Sequence, residues 1–411
     1  MTATALQQEE HLPEAIVCKW CGKSFHYLKS HISMGRCENI PESAKGLDVD
    51  EVVKMYTSAF PDEPTISRTA LAKLNEKRAE KHSGEGKVAE ISAHPGYVGT
   101  VEYKTELVAA HELLGVTIKE LGTPRGKPLQ VTVNVNTPYP EFIPEAKKNY
   151  VYGDFDLIKD IFMMLEIGIP GYLWGHAGTG KSSLPTQLCA LLNRPLIRAQ
   201  HTASMEEAHV TGQILARDGS TYFEPGLLAL AMKNGWVYLA DEYDFAFPQI
   251  LGVYQPVLEG EPLIIKEATP DWRRITPHKR FAFIGTGNTN GSGDETGLYQ
   301  GTNIQNAANF SRFGIVSNVK YMSTKAEVNM LAEAGVIREY AEKMVKFANL
   351  VREGYEQHLI SQPIGPRELL LSAKIGMMRG DFSAGIEKSF INKLPSTSAQ
   401  AAREVVQKIF G

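Results

Sequence analysis

The fold this sequence predicts is α/β. A parallel P-loop sheet with helices on both faces is preceded by a metal-held knuckle and followed by a small helical domain. Three observations predict it. Beyond Tyr150, short apolar runs alternate with helical stretches: GYLWG (171–175), RPLIRAQ (194–200), WVYLADE (236–242), RFAFIGTGN (280–288) and GIVSNVKYM (314–322). Their apolar character is continuous rather than alternating, as in strands covered on both faces. Second, GHAGTGKS (175–182) fits G-x4-G-K-[ST] and lies between one such run and a helical pattern, SSLPTQLCALL. Third, CKWCGKSFHYLKSHISMGRC (18–37) gathers three of the four cysteines.

The remaining segments fill in around these. Residues 1–15 are polar and read as loose. LDVDEVVKMYTSAF and ISRTALAKLNEKRAEKH, parted by PDEP at 61–64, read as charged helices, and HSGEGK (82–87) reads as a linker. VTVNVN (131–136) alternates like a strand, and the prolines at 138, 140 and 144 punctuate an extended connector. The expected domains are a knuckle with a loose N-terminus over 1–45, a helical segment and linker over 46–87 and a mixed region with connector over 88–150. A large α/β domain over 151–322 and a small helical domain over 323–411 complete the chain.

Hydrophobic residues are 43 % of 411, enough for real cores in two or three domains. A net charge of −4 and a pI near 6.3 exclude a chain basic over its whole surface but not a local basic patch. Four cysteines in so long a chain are no disulfide framework, which favours a reducing compartment. No secretory signal pattern and no continuous apolar stretch of about 18 residues occurs, so a soluble, cytoplasmic protein without membrane contact is expected.

The glycine-rich loop supplies the first chemistry. Gly175, His176, Ala177, Gly178, Thr179 and Gly180 would close backbone N–H groups around phosphate at a helix N-terminus that Ser183 opens. Lys181 would reach the β- and γ-phosphates of ATP, and Ser182 would ligate Mg²⁺. Pro185 must then sit in the first helical turn, where its missing N–H costs little. VYLADE places Asp241 and Glu242 at the C-terminal end of a buried strand, where ligands bind in such sheets. Asp241 would join the Mg²⁺ shell, and Glu242 would be the general base on the attacking water. Asp244 reads as a helix cap or a supporting group, and Cys189 as a buried small residue.

From Arg280 the run RFAFIGTGNTNGSGDETGLYQGTNIQNAANFSRFGIV strongly resembles the AAA+ ATPases of the MoxR and chelatase group, above all the CobS-type subunits of aerobic cobaltochelatase. The matching features are Thr286-Gly287-Asn288, the Gly291 to Thr302 loop, Ser311-Arg312-Phe313, DEYD (241–244), PVLEG (256–260) and the connector at 140–152, over roughly residues 107–380. The resemblance implies that Asn288 is sensor 1, that Arg312 is an arginine finger reaching a neighbour's site, and that Arg367 in GPREL is sensor 2. It also implies a homo-hexameric ring, a pore-facing hairpin over QILARDGSTYF and a partner bearing a von Willebrand factor A domain. EPLIIKEATPDWRRITPHKR (261–280) would form a second hairpin. Its Arg273 and Arg274 would face a partner or a substrate, or simply form a solvated hairpin edge. The family has Asp before the finger arginine; Ser311 stands there here, which leaves Arg312 without that carboxylate.

Cys18, Cys21, His31 and Cys37 give Cys-x2-Cys-x9-His-x5-Cys, a donor set suited to a closed structural Zn²⁺ site. His26 is an alternative to His31 or Cys37. VCKWCGKSFHYLKSHI loosely resembles Ros/MucR-like fingers, which bind DNA. Lys19, Lys23, Lys29 and Arg36 occur with no acid between Cys18 and Cys37. The knuckle could therefore contact nucleic acid, dock a protein, or only stabilise the fold. The leading expectation is a ring-forming Mg-ATP-hydrolysing chaperone that remodels a partner. The alternatives are a cobaltochelatase subunit inserting cobalt into a corrin, and a nucleic-acid-associated motor or regulator.

Overall fold

The computed structural model describes residues 13–70 and 102–411, apart from 35, 46, 62, 137, 138, 218 and 219. Most of the N-terminal segment read as loose, most of the helix expected from 66, the linker at 82–87 and the Asp218–Gly219 turn lie outside these. The chain divides into two compact units, Met1–Ile91 and Ser92–Gly411.

In the first unit β1 (Ile16–Val17) and β2 (Ser24–Phe25) pair antiparallel, with Ile16 opposite Phe25. α1 (Leu28–Ser33) follows, then α2 (Val49–Ala59), whose first turn is capped by Asp48 accepting from the Asp50 N–H. α2 buries Val52 and Tyr56, four residues apart and so on one face. They close a single core with Ile16, Phe25, Leu28 and Ile32. The Tyr56 hydroxyl accepts from the Lys19 N–H at 3.0 Å, and Trp20 meets its ring edge-on. The knuckle core thus extends past residue 45, where composition had suggested a boundary.

The second unit opens with β3 (Thr105–Ala109), α3 (Ala110–Leu114) and β4 (Gln130–Asn134), β3 and β4 being antiparallel. Then come α4 (Phe155–Ile167), β5 (Gly171–Trp174), α5 (Ser183–Leu191), β6 (Leu196–Gln200) and α6 (Glu207–Thr211). The hairpin of β7 (Gly212–Arg217) and β8 (Ser220–Pro225) precedes α7 (Leu227–Asn234) and β9 (Val237–Asp241). β10 (Leu263–Ile264) and β11 (Arg274–Ile275) pair over two positions only, so the second expected hairpin is short. β12 (Ala282–Gly287), α8 (Ala307–Phe310) and β13 (Ile315–Asn318) complete the sheet region.

β13, β5, β12, β9 and β6 lie side by side in that order, all parallel. Successive residues of the inner strands feed opposite cores. Tyr172, Tyr238 and Phe283 face one, and Leu173, Leu239 and Ile284 face the other. That double burial is why the runs read as apolar without alternation. The five helices α9 (Thr324–Glu333), α10 (Arg338–Glu356), α11 (Pro366–Arg379), α12 (Phe382–Ser389) and α13 (Ser396–Phe410) pack around a core of their own. Inside it Arg352 grips the buried Glu327 carboxylate with two 2.8 Å hydrogen bonds. No described helix is long and apolar enough to cross a membrane.

Candidate functional site

The glycine-rich loop joins β5 to α5, with Ser182 at the helix N-cap position and Pro185 in the first turn. Gly175 has φ 147°, and a Cβ there would lie 2.4 Å from the Val319 carbonyl oxygen. Gly178, at φ 80°, lies against the first turn of α11, where an added Cβ would be 3.3 Å from Cβ of Arg367. Thr179 donates to the His176 carbonyl at 2.9 Å, and Ser183 Oγ lies 3.3 Å from both the Gly180 carbonyl and the Tyr150 hydroxyl. His176 Nδ1 lies 2.8 Å from the Tyr299 hydroxyl, which also accepts from the Ala177 N–H.

Lys181 is buried and donates to the carbonyls of Gly175 and His176, at 2.7 and 2.9 Å, and to Asn288 Oδ1 at 3.0 Å. Burial pulls its ammonium down to about 8 against the opposing pull of Asp244, Asp241 and Glu242, and nearby Arg367 lowers it further. Asp241 ends β9. Its Oδ1 accepts from the hydroxyls of Ser182 and Thr286, and its Oδ2 accepts from Arg198 Nε at 2.7 Å and from a second guanidinium nitrogen. Burial alone would raise this carboxyl, but the donors from Ser182, Thr286 and Arg198 hold it below the usual range. The oxygen donors of Ser182 and Asp241 suit a hard cation such as Mg²⁺. Glu242 turns the chain left-handed at φ 52°, donates its N–H to Thr286 Oγ1 and stays exposed, its carboxylate held by Gln200 Nε2 at 2.8 Å.

Asp244 caps no helix. It is fully buried and accepts from the N–H groups of Asn288 and Thr289, at 2.8 and 3.0 Å, and from the Thr289 hydroxyl, fixing the start of the loop that carries Asn288. The structure thus brings Lys181, Ser182, Asp241, Glu242, Asn288 and Arg367 to one place. It does not bring Arg312 there: Arg312 bonds Glu259 Oε1 at 2.7 Å and the Ala308 carbonyl. Glu259, in PVLEG, thereby supplies the carboxylate that Ser311 lacks. Sequence reading missed Arg198 and Gln200. Their signal was two polar residues, two apart, in an otherwise buried strand.

A second cluster lies in the first unit. Cys18, Cys21, His31 and Cys37 point their ligand atoms to within 4.8 Å of one another. Sγ of Cys18 and Sγ of Cys37 are 3.7 Å apart, and Cys21 Sγ is 3.3 Å from His31 Nε2. A tetrahedral zinc with Zn–S of about 2.3 Å needs ligand edges of roughly 3.8 Å, and the Cys18–Cys37 separation is close to that, so the donor set suits that ion. Phe25 stacks on the His31 ring. His26 is engaged elsewhere, with Nδ1 3.0 Å from Ser67 Oγ. The three lysines that looked free are paired with acids from further along the chain: Lys19 with Glu63, Lys23 with Glu38 and Lys29 with Asp50.

A parallel sheet with its phosphate loop, acidic strand end and an asparagine bonded to the loop lysine defines a P-loop ATPase of AAA+ build. Comparison with known proteins agrees. Residues 172–302 match the AAA domain family of the dynein-related subfamily. Aerobic cobaltochelatase subunit CobS of a Sinorhizobium species is 32 % identical over 249 residues, which are 58 % of this chain and 74 % of that one. The chain belongs to the AAA+ ATPase family that includes CobS. An uncharacterized protein of Staphylococcus aureus is 23 % identical over 265 residues, 62 % of this chain and 96 % of its own. The RuvB Holliday junction branch migration motor of Thermotoga maritima overlays 65 % of this chain and 72 % of its own at 13 % identity. Its TM-score of 0.38 is too low to bear on the fold.

Proposed function

We propose that this ATPase works as a homo-hexameric ring in the cytoplasm, remodels or activates a partner protein, and carries an N-terminal zinc knuckle that helps select it. In each site Lys181 would leave its backbone partners for the β- and γ-phosphates, and Ser182 and Asp241 would hold Mg²⁺, which neutralises phosphate charge. Glu242 would take the proton of the attacking water, with Asn288 orienting that water and Arg367 reaching the nucleotide from the lid. The observation that carries the ring is Arg312. Both its hydrogen bonds go to residues outside its own site, Glu259 and Ala308, which suits a side chain held ready to serve a neighbour's. A partner with a von Willebrand factor A domain is in keeping with the family.

For the knuckle, pairing of Lys19, Lys23 and Lys29 with carboxylates favours a protein partner over nucleic acid. Trp20 and Phe25 also pack inward rather than forming a stacking surface. The 32 % identity to CobS keeps a second reading in view, a role in inserting cobalt into a corrin. Cobalt-dependent stimulation of ATP turnover would favour it.

Sedimentation with a slowly hydrolysed ATP analogue should show the ring. Arg312→Ala should cut turnover at least about 10³-fold, as loss of an arginine finger does, while ATP binding stays near wild type. Wild-type turnover by Arg312→Ala would remove the finger from the account.

A further inference from the structure

Arg198 lies on β6, which is the edge strand of the sheet beside β9. Along β6 only Arg198 and Gln200 are exposed, and they reach the two acidic residues that end β9 and begin the next turn. The Asp241 carboxylate has roughly four acceptor positions. Two on Oδ1 are filled by the hydroxyls of Ser182 and Thr286, and two on Oδ2 by the fork of Arg198.

A cation approaching Asp241, directly or through a coordinated water, must recover one of those positions. A hydroxyl can rotate and offer its own lone pairs, and Ser182 would do so as a ligand. A guanidinium cannot, because it only donates and its charge repels the incoming ion. Exposure shows which partner can move: the Arg198 side chain is 56 % exposed, that of Asp241 4 %. Arg198 can swing out from the sheet edge into water, whereas Asp241 is fixed by its strand.

We propose that Arg198 is a placeholder cation. It neutralises Asp241 in the metal-free site and must be displaced for Mg²⁺ to bind with the nucleotide, so it sets the metal affinity of the ATPase. This rests on the assignment of Ser182 and Asp241 as the metal-holding pair. A site locked by Arg198 for most of the time lowers apparent affinity by the fraction of molecules that are unlocked.

The test is a titration of the full chain with Mn²⁺, followed by electron paramagnetic resonance at saturating ADP. Arg198→Ala and Arg198→Gln should each bind Mn²⁺ about tenfold more tightly than wild type. Their thermal midpoints should fall below wild type in buffer without Mg²⁺ and nucleotide and be recovered by Mg²⁺ and ADP, whereas a purely structural role would lower both midpoints equally. Asp241→Asn separates the two assumptions. If it loses Mn²⁺ while both Arg198 variants keep wild-type or weaker affinity, the placeholder is overturned and the metal site stands. If Asp241→Asn binds Mn²⁺ like wild type, the metal assignment fails and the placeholder with it.

Discussion

His201 follows Gln200 at the end of β6, buried beside the acidic strand end, and its ring has one defined tautomer. Nδ1 lies 3.0 Å from the Ala199 carbonyl, which can only accept, so Nδ1 carries the proton. Nε2 then accepts from the Tyr254 hydroxyl at 2.8 Å. Burial holds this imidazole down to about 4. An unfolded histidine titrates near about 6.5, so the unfolded chain binds the extra proton between those values. The stabilisation is therefore complete above that range and lost as pH falls through it, by up to about 3 kcal/mol. Denaturant unfolding from pH 7 to pH 5 should show the loss in wild type and a flatter profile in His201→Gln; equal slopes would contradict it. The residues of the phosphate loop were legible because one short stretch sets their geometry. Arg198 and Gln200 were not, because their partners depend on the register that places Gln200 opposite Asp241. Of the two readings of Asp244 the supporting one holds, and what it supports was out of view for the same reason: its carboxylate accepts from a loop more than forty residues on.

Among the elements, the inner strands were readable because double burial leaves a continuous apolar run, whereas the knuckle was readable in its ligands but not in its surface. Counting charges from 18 to 37 found only bases, yet the acids that neutralise them come from α2 and the turns around it. Such exposed pairs contribute at most about 1 kcal/mol each, so their importance here is in charge rather than stability. Stability must come from the small core and the ligand cluster, and a core this small needs a staple. Purified full-length chain should carry about one zinc per molecule, as a closed four-ligand site requires. Cys18→Ser and His31→Ala should lose it. Cys189→Ser, altering a buried thiol of α5 in the core beside the sheet, should keep it. Zinc retained in Cys18→Ser would displace the ligand assignment, and equal loss in Cys189→Ser would show that the loss reports misfolding.

At the scale of the whole molecule, one chain holds nearly everything its reaction needs. The phosphate loop, the acidic pair, Asn288 and Arg367 converge, while Arg312 stands apart on its Glu259 anchor. The order of these residues along the chain was legible. Which of them meet was legible only through the family resemblance, since it depends on how strands and the C-terminal helices are arranged in space. The central claim is that each site is finished by a neighbour, and mixing two inactive variants tests it directly. Glu242→Gln keeps its finger and loses its base; Arg312→Ala keeps its base and loses its finger. If Arg312 acts across the interface, a 1:1 mixture places an intact base beside an intact finger at about a quarter of the head-to-tail contacts. Turnover should return to a comparable share of the wild-type rate. A mixture as inactive as its components, although both assemble, would contradict the account.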